Sequence, residues 1–291
     1  MNKKLSKGVN ILDNTIIMIS SGSTEAIYTD TLSESNFISN KINIISKNYG
    51  YGIVFNNVIG RLSDINVSNN EIVIHSEQMT YLIELCQVDN STIENNKLYG
   101  KSNGIYAIDI YWSNNISVNN NAISVFGGNL SKILGISDLL GIGNSAIAIF
   151  KNSSNICIST NIIYANFSKT IFDNTTDGFI NASFNSFIID NENYNCYFNE
   201  IGELYSNVIT KNSTLLLHNL TKNQLLIIND LVKISSYDLN LPSSISIIFK
   251  NNSSNSIICN ASFINSSIDL INVSNINIIN NAFNSSKKVI Y

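Results

Sequence analysis

The chain has 291 residues, 44% hydrophobic and only 13% charged, with a formal net charge of −4 and Arg61 as its sole arginine. Nucleic-acid partners, which need clustered cations to displace counterions from phosphate, are not expected, and the longest apolar runs, such as Leu225 to Ile228, are too short to span a bilayer. Polarity is carried instead by amides and hydroxyls, with asparagine supplying roughly one residue in six.

Residues 1–35 match the pattern that follows poorly and are expected to form an N-terminal cap or flanking segment. Met1-Asn2-Lys3-Lys4 is like the opening of a secretion signal, but Asp13 and Asn14 interrupt the apolar stretch that should follow. Export is then expected to be signalled elsewhere, or the chain to be a piece of a longer protein.

Over residues 36–291 one phrase recurs, for example Ile65-Asn66-Val67-Ser68-Asn69-Asn70-Glu71-Ile72 and Ile276-Asn277-Ile278-Ile279-Asn280-Asn281-Ala282-Phe283. A spacing of roughly 20–30 residues marks a solenoid, in which a coil buries its apolar face only against neighbours. Aligned on the apolar residue after the Asn pair, Ile42, Ile72, Leu98, Ile123, Ile163, Phe184, Ile209, Phe263 and Phe283 form one column, which predicts about ten coils. A second column runs through Ile83 and Leu85, Ile108 and Ile110, and Ile268 and Leu270. Each coil thus reads as three short strands with period-two alternation, an all-β parallel β-helix. Glu84, Asp109, Tyr111 and Asp269 fall on the alternate positions and are expected to face solvent. Asparagine tolerates the left-handed backbone conformation, so the Asn pairs should turn the chain. Stacked at a strand spacing of about 4.8 Å, they should also form amide ladders.

Two segments interrupt the repeat. Residues 124–143 read as a loop insertion, in which Asn129 to Leu140 is expected to form a short helix or loop, and Leu215 to Leu241 reads as two degenerate coils. Asp173-Asn174-Thr175-Thr176-Asp177-Gly178 reads as a turn. Cys196 aligns with the inward Val67, while Cys157 and Cys259 adjoin the inward Ile158 and Ile258. With Cys86 they share no column and form no Cys-x-x-Cys, so free thiols are expected and no metal cluster.

Gly104-Ile105-Tyr106-Ala107-Ile108-Asp109-Ile110, followed by Ser113 to Ile123, resembles the right-handed parallel β-helix repeats of pectate-lyase-like proteins. The amide-rich, charge-poor style is most like the adhesin-like surface proteins of methanogenic archaea. The resemblance covers roughly residues 36 to 286 and implies a right-handed parallel β-helix. It does not choose among lyases, hydrolases, epimerases, tailspikes and adhesins, which share the repeat.

Uronic-acid lyases need carboxylates for calcium and a strong base, and Arg61 in Gly60-Arg61-Leu62-Ser63-Asp64 has no acidic cluster in its column. The Asn-Thr-Asp, Asp-Asp and Gly-His-Gly phrases of polygalacturonase-like hydrolases are absent. His75 and His218 occupy non-equivalent positions in different coils. The catalytic candidates left are Glu84 and Asp109, at equivalent positions of successive coils and about 5 Å apart by strand spacing, although Asp269 repeats the position and argues for a solvated column. Tyr106, Tyr111 and Trp112 cluster beside Asp109 as candidates for gripping a sugar ring, while the parity of Trp112 with Ile108 and Ile110 equally allows it to cap the bore. No cofactor or metal site is read. The expectation is a non-enzymatic extracellular or cell-surface β-helix, adhesin-like, presenting a rigid face to a carbohydrate or another cell. The alternatives are a carbohydrate-active enzyme using Glu84 and Asp109, or a structural spacer.

Overall fold

The computed structural model describes residues 6–57, 60–128, 143–167, 169–175, 178, 180–205, 207–220, 224–237, 244–284 and 289–290. Strand accounts for 63% of the chain and helix for 3%, in a parallel β-solenoid of about nine turns with three sheets per coil, against the ten coils expected. The chain divides into two compact units, Met1–Ala182 and Ser183–Tyr291.

In the first unit, Leu32–Ile38, Leu62–Ser68, Val88–Glu94, Asn114–Asn119 and Ser154–Ser159 stack in parallel as the first sheet. The second sheet stacks Thr15–Ser20, Lys41–Ser46, Glu71–Ser76, Lys97–Ser102, Ala122–Gly127 and Ile162–Ala165. The third stacks Thr24–Thr29, Tyr49–Asn56, Met79–Cys86, Gly104–Tyr111, Ser145–Ile149 and Ile171–Asp173. Within the stretch expected as a cap, Asn10–Leu12, Thr15–Ser20 and Thr24–Thr29 pair with strands one coil further on.

Period-two alternation fills the bore. Ile42, Ile72, Leu98, Ile123 and Ile163 are in register and at most 2% exposed, and Phe37, Val67, Ile93, Val118 and Ile158 do the same on the first sheet. Burying each such side chain contributes about 1.5–3 kcal/mol, so stacking supplies the core that a lone coil lacks.

The two asparagines of a pair do different things. Asn69, Asn95 and Asn120 sit at the corner with φ of 55–56°, in the left-handed region. The next residue points inward, and Asn40, Asn70, Asn96, Asn121 and Asn161 are all buried. From Asn14 through Asn161, the backbone N and the Nδ2 of each donate to the Oδ1 of the next at 2.9–3.1 Å. Each Nδ2 from Asn40 onward also donates to a strand carbonyl, such as that of Phe37, Val67 or Ile93, at 2.8–3.0 Å. The expected amide ladder is present, and it satisfies corner groups that would otherwise be orphaned inside the core. A second, exposed ladder joins Asn90, Asn115 and Asn155.

In the second unit Ser186–Ile189, Ser213–Leu217, Val232–Ser236, Ile257–Cys259 and Asn277–Ile279 form one parallel sheet. Leu225–Ile228, Ser246–Lys250 and Ser267–Ile271 form another. The column assigned to Phe184 and Ile209 is in fact Phe187, Leu215, Ile234, Ile258 and Ile278. Phe184 is 58% exposed at φ 57°, in the corner position ahead of the buried Asn185, and Ile209 is half-buried outside any strand. Phe263 and Phe283 pair with each other, ring centroids 5.2 Å apart, but in a separate two-stranded sheet and not in that column. Cys196 sits on a four-residue helix, Tyr194–Tyr197, and not in a strand. All four cysteines are free, with Cys259 buried and the others half-buried. The expected helix or loop at Asn129 to Leu140 lies outside the described residues. Of the 173–178 turn, Asp173 Oδ1 accepts from the backbone N and Oγ1 of Thr175.

Candidate functional site on the third sheet

The outer surface of the third sheet departs from the pattern seen elsewhere. Leu82 and Ile83 are consecutive and both fully buried, as are Ala107 and Ile108, so alternation slips by one residue. The slip is built on Gly52, where a Cβ would run into the carbonyl oxygen of Leu82. As a result Tyr81 and Glu84, three residues apart, share the outer surface with Tyr106 and Asp109.

Three columns result. Glu25, Tyr51, Tyr81 and Tyr106 stand in register in one. Tyr28, Val54, Glu84, Asp109, Ala148 and Phe172 form the next, and Asn56, Cys86 and Tyr111 the third. The rings of Tyr51 and Tyr81 stack at 5.1 Å and 3°, Tyr81 meets Tyr106 at 5.7 Å, and Tyr111 stacks on Phe150 at 4.4 Å and 13°. Met79, Tyr106, Ala148 and Phe150 make a second apolar cluster here, against which Tyr49, Tyr81, Tyr111 and Phe172 pack.

The two carboxylates lie between these aromatic columns. Glu84 and Asp109 are register partners on adjacent strands, as their spacing implied. Asp109, however, is only 3% exposed, so the expectation that it faces solvent is wrong. The aromatic layer covers it, a packing that period-two parity cannot reveal. Burial, then the charge of Glu84, push its carboxyl well above the usual range, against a lowering bond from the Ile110 backbone. Its Oδ1 has no hydrogen-bond partner. Glu84 is half-buried, and burial followed by the charge of Glu25 pushes it up to about 7. Burial also pushes Tyr51 up to about 12 and raises Tyr81 further, so both phenols stay protonated as donors.

Trp112 does not cap the bore. It occupies a corner at φ 46°, 41% exposed, with its ring 5.9 Å from Tyr111 at 74°. Its carbonyl accepts from Arg61 Nη2 at 2.7 Å, and the same guanidinium grips both carboxylate oxygens of Asp89, one coil on from Arg61. Burial alone would raise Asp89, but the hydrogen bond and charge of Arg61 outweigh it and hold the carboxyl below its usual value. Arg61 is thus a fastener for the corner beneath Trp112. Asp269 is half-buried in the second unit opposite Ile248 and extends no column of Glu84.

Tyr106, Tyr111 and Trp112 do come together near Asp109, whereas Tyr51, Tyr81, Phe150 and Glu25 were missed. Tyr51, Tyr81 and Tyr106 each stand three residues before the central column, at Val54, Glu84 and Asp109. That shared offset was the available signal. Among the described residues no group of three or more His, Cys, Asp or Glu could hold a metal ion, and no helix is long and apolar enough to cross a membrane. No family model matches the chain, and neither a curated protein nor a solved structure matches it.

Proposed function

We propose that this chain is a non-enzymatic extracellular or cell-surface β-solenoid, adhesin-like, whose third sheet binds carbohydrate. The observation that carries the reading is the aromatic flanking of Glu84: Tyr51 and Tyr81 on one side and Tyr111 on the other, with the exposed Trp112 against Tyr111. Apolar ring faces with few convergent polar groups suit a sugar, which offers a C–H face and a rim of hydroxyls. Binding is favoured over catalysis by the burial of Asp109, which takes the register partner of Glu84 out of reach, whereas glycosidases work with two reachable carboxylates flanking the scissile bond.

A glycan array read with the intact chain tests this. Retention on a defined set of glycans, lost in Trp112→Ala and weakened about tenfold or more in Glu84→Gln, is expected, since a charge-assisted hydrogen bond contributes about 1.5–3 kcal/mol. No retention, or equal retention by both variants, would sink the proposal and leave a spacer. One observation favours a second reading, a glycoside hydrolase: with its carboxyl at about 7, Glu84 can hold a proton at neutral pH as a general acid does. Release of reducing sugar that disappears in Glu84→Gln would establish that reading instead.

A further inference from the structure

The second unit carries a groove of about 410 Å³ on the outer surface of the sheet formed by Ser213–Leu217, Val232–Ser236 and Ile257–Cys259. That volume lies within the roughly 300–1,000 Å³ typical of small-molecule sites. Thr214, Lys233 and Ile257 stand in register along it, and Asn212, Leu231, Val232, Asn255 and Phe184 complete its lining.

Phe184 is the informative residue. The corner it occupies carries Ser39, Asn69, Asn95, Asn120 and Thr160 in other coils, all short polar residues at φ of 55–57°. A phenylalanine at φ 57° is strained there, and at 58% exposure its ring gains little burial in return. Strain kept without a packing reason points to use. Lys233 is exposed and has no carboxylate partner among the described residues, so the groove offers one uncompensated cation. Beside it are four apolar residues, two amides and one hydroxyl.

We propose that this groove binds a monocarboxylate with an apolar or aromatic body. The carboxylate accepts from Lys233 Nζ, the body lies against Phe184, Leu231 and Ile257, and Asn212, Asn255 and Thr214 serve the remaining polar atoms. A single cation matches one negative charge and not the multiple charge of a phosphate ester. A free aryl acid and the C-terminal residue of a peptide both have this chemistry. The site is independent of the carbohydrate reading of the third sheet.

Titration calorimetry on the full chain with 3-phenylpropionate, N-acetyl-phenylalanine and the uncharged N-acetyl-phenylalaninamide decides it. Both acids should bind, and the amide should be about tenfold weaker or more. The same loss for the acids is expected in Lys233→Ala. Phe184→Asn should abolish binding while its Tm holds or rises, because asparagine relieves the corner. Preference for N-acetyl-phenylalanine would mark a peptide terminus as the source, and preference for phenylpropionate a free acid. Absence of saturation by either acid in the millimolar range, equal affinity for the amide, or unchanged affinity in Lys233→Ala would overturn the proposal, even if Phe184→Asn failed to fold.

Discussion

Consecutive asparagines at a second-sheet corner meet opposite demands, one backbone conformation and one hydrogen-bond network. Asn69 is chosen for φ 56°, which glycine adopts as readily, so Asn69→Gly should lower stability by under about 1 kcal/mol. Asn96 accepts from two nitrogens of Asn70 and donates to the carbonyl of Val67 and to Asn121. Asn96→Ala orphans several buried groups, each worth about 1–3 kcal/mol, and should cost about 3 kcal/mol or more by urea denaturation. Both roles were legible in the sequence, because a doubled asparagine before an apolar residue has few other uses. The burial of Asp109 was not. Whether an outward position meets water depends on the side chains packed around it, here Tyr106 and Tyr111 of the same strand and Tyr81 of the neighbouring coil, and parity carries no such information.

Among the elements, the strands of the second sheet in the first unit alternate, and those of the first sheet do so after a left-handed residue such as Asp64 or Asn90, so these columns could be read from spacing alone. Those of the third sheet do not, because the slip at Gly52 puts two consecutive side chains into the bore. A methyl group at Gly52 meets backbone, which cannot swing aside. Gly52→Ala should therefore cost about 2 kcal/mol or more, while Gly22→Ala, with nothing closer than 4.0 Å, should stay within about 0.5 kcal/mol. Thermal denaturation of the two variants checks the contrast. The same logic explains why Phe184 was misplaced. Alignment on an apolar residue assumes that the corner itself carries none, and here Phe184 stands at the corner while Phe187 fills the bore.

For the molecule as a whole, stability should depend on pH in an unusual direction. The carboxyls of Glu84 and Asp109 are raised in the folded state, so the unfolded chain loses its protons first as pH rises. For Glu84 the folded state then loses ground from about 4.5 to about 7, by about 3 kcal/mol at most, with nothing further lost above. Asp109 adds a loss that starts near 3.8. Melting of the first unit should accordingly be higher at pH 5 than at pH 8, and Glu84→Gln with Asp109→Asn should flatten the difference. A wild-type melting temperature that rises from pH 5 to pH 8 would contradict the burial of the pair. The buried amide ladder carries one more consequence. Successive rungs lie 26, 30, 26, 25 and 40 residues apart in the chain, yet their bond lengths agree to within 0.2 Å. The ladder registers corners and is indifferent to what lies between them. A gene that duplicates or deletes the stretch from one rung to the next therefore keeps every amide bond in phase, and descendants of this chain are free to differ in length by whole coils while their outer faces diverge.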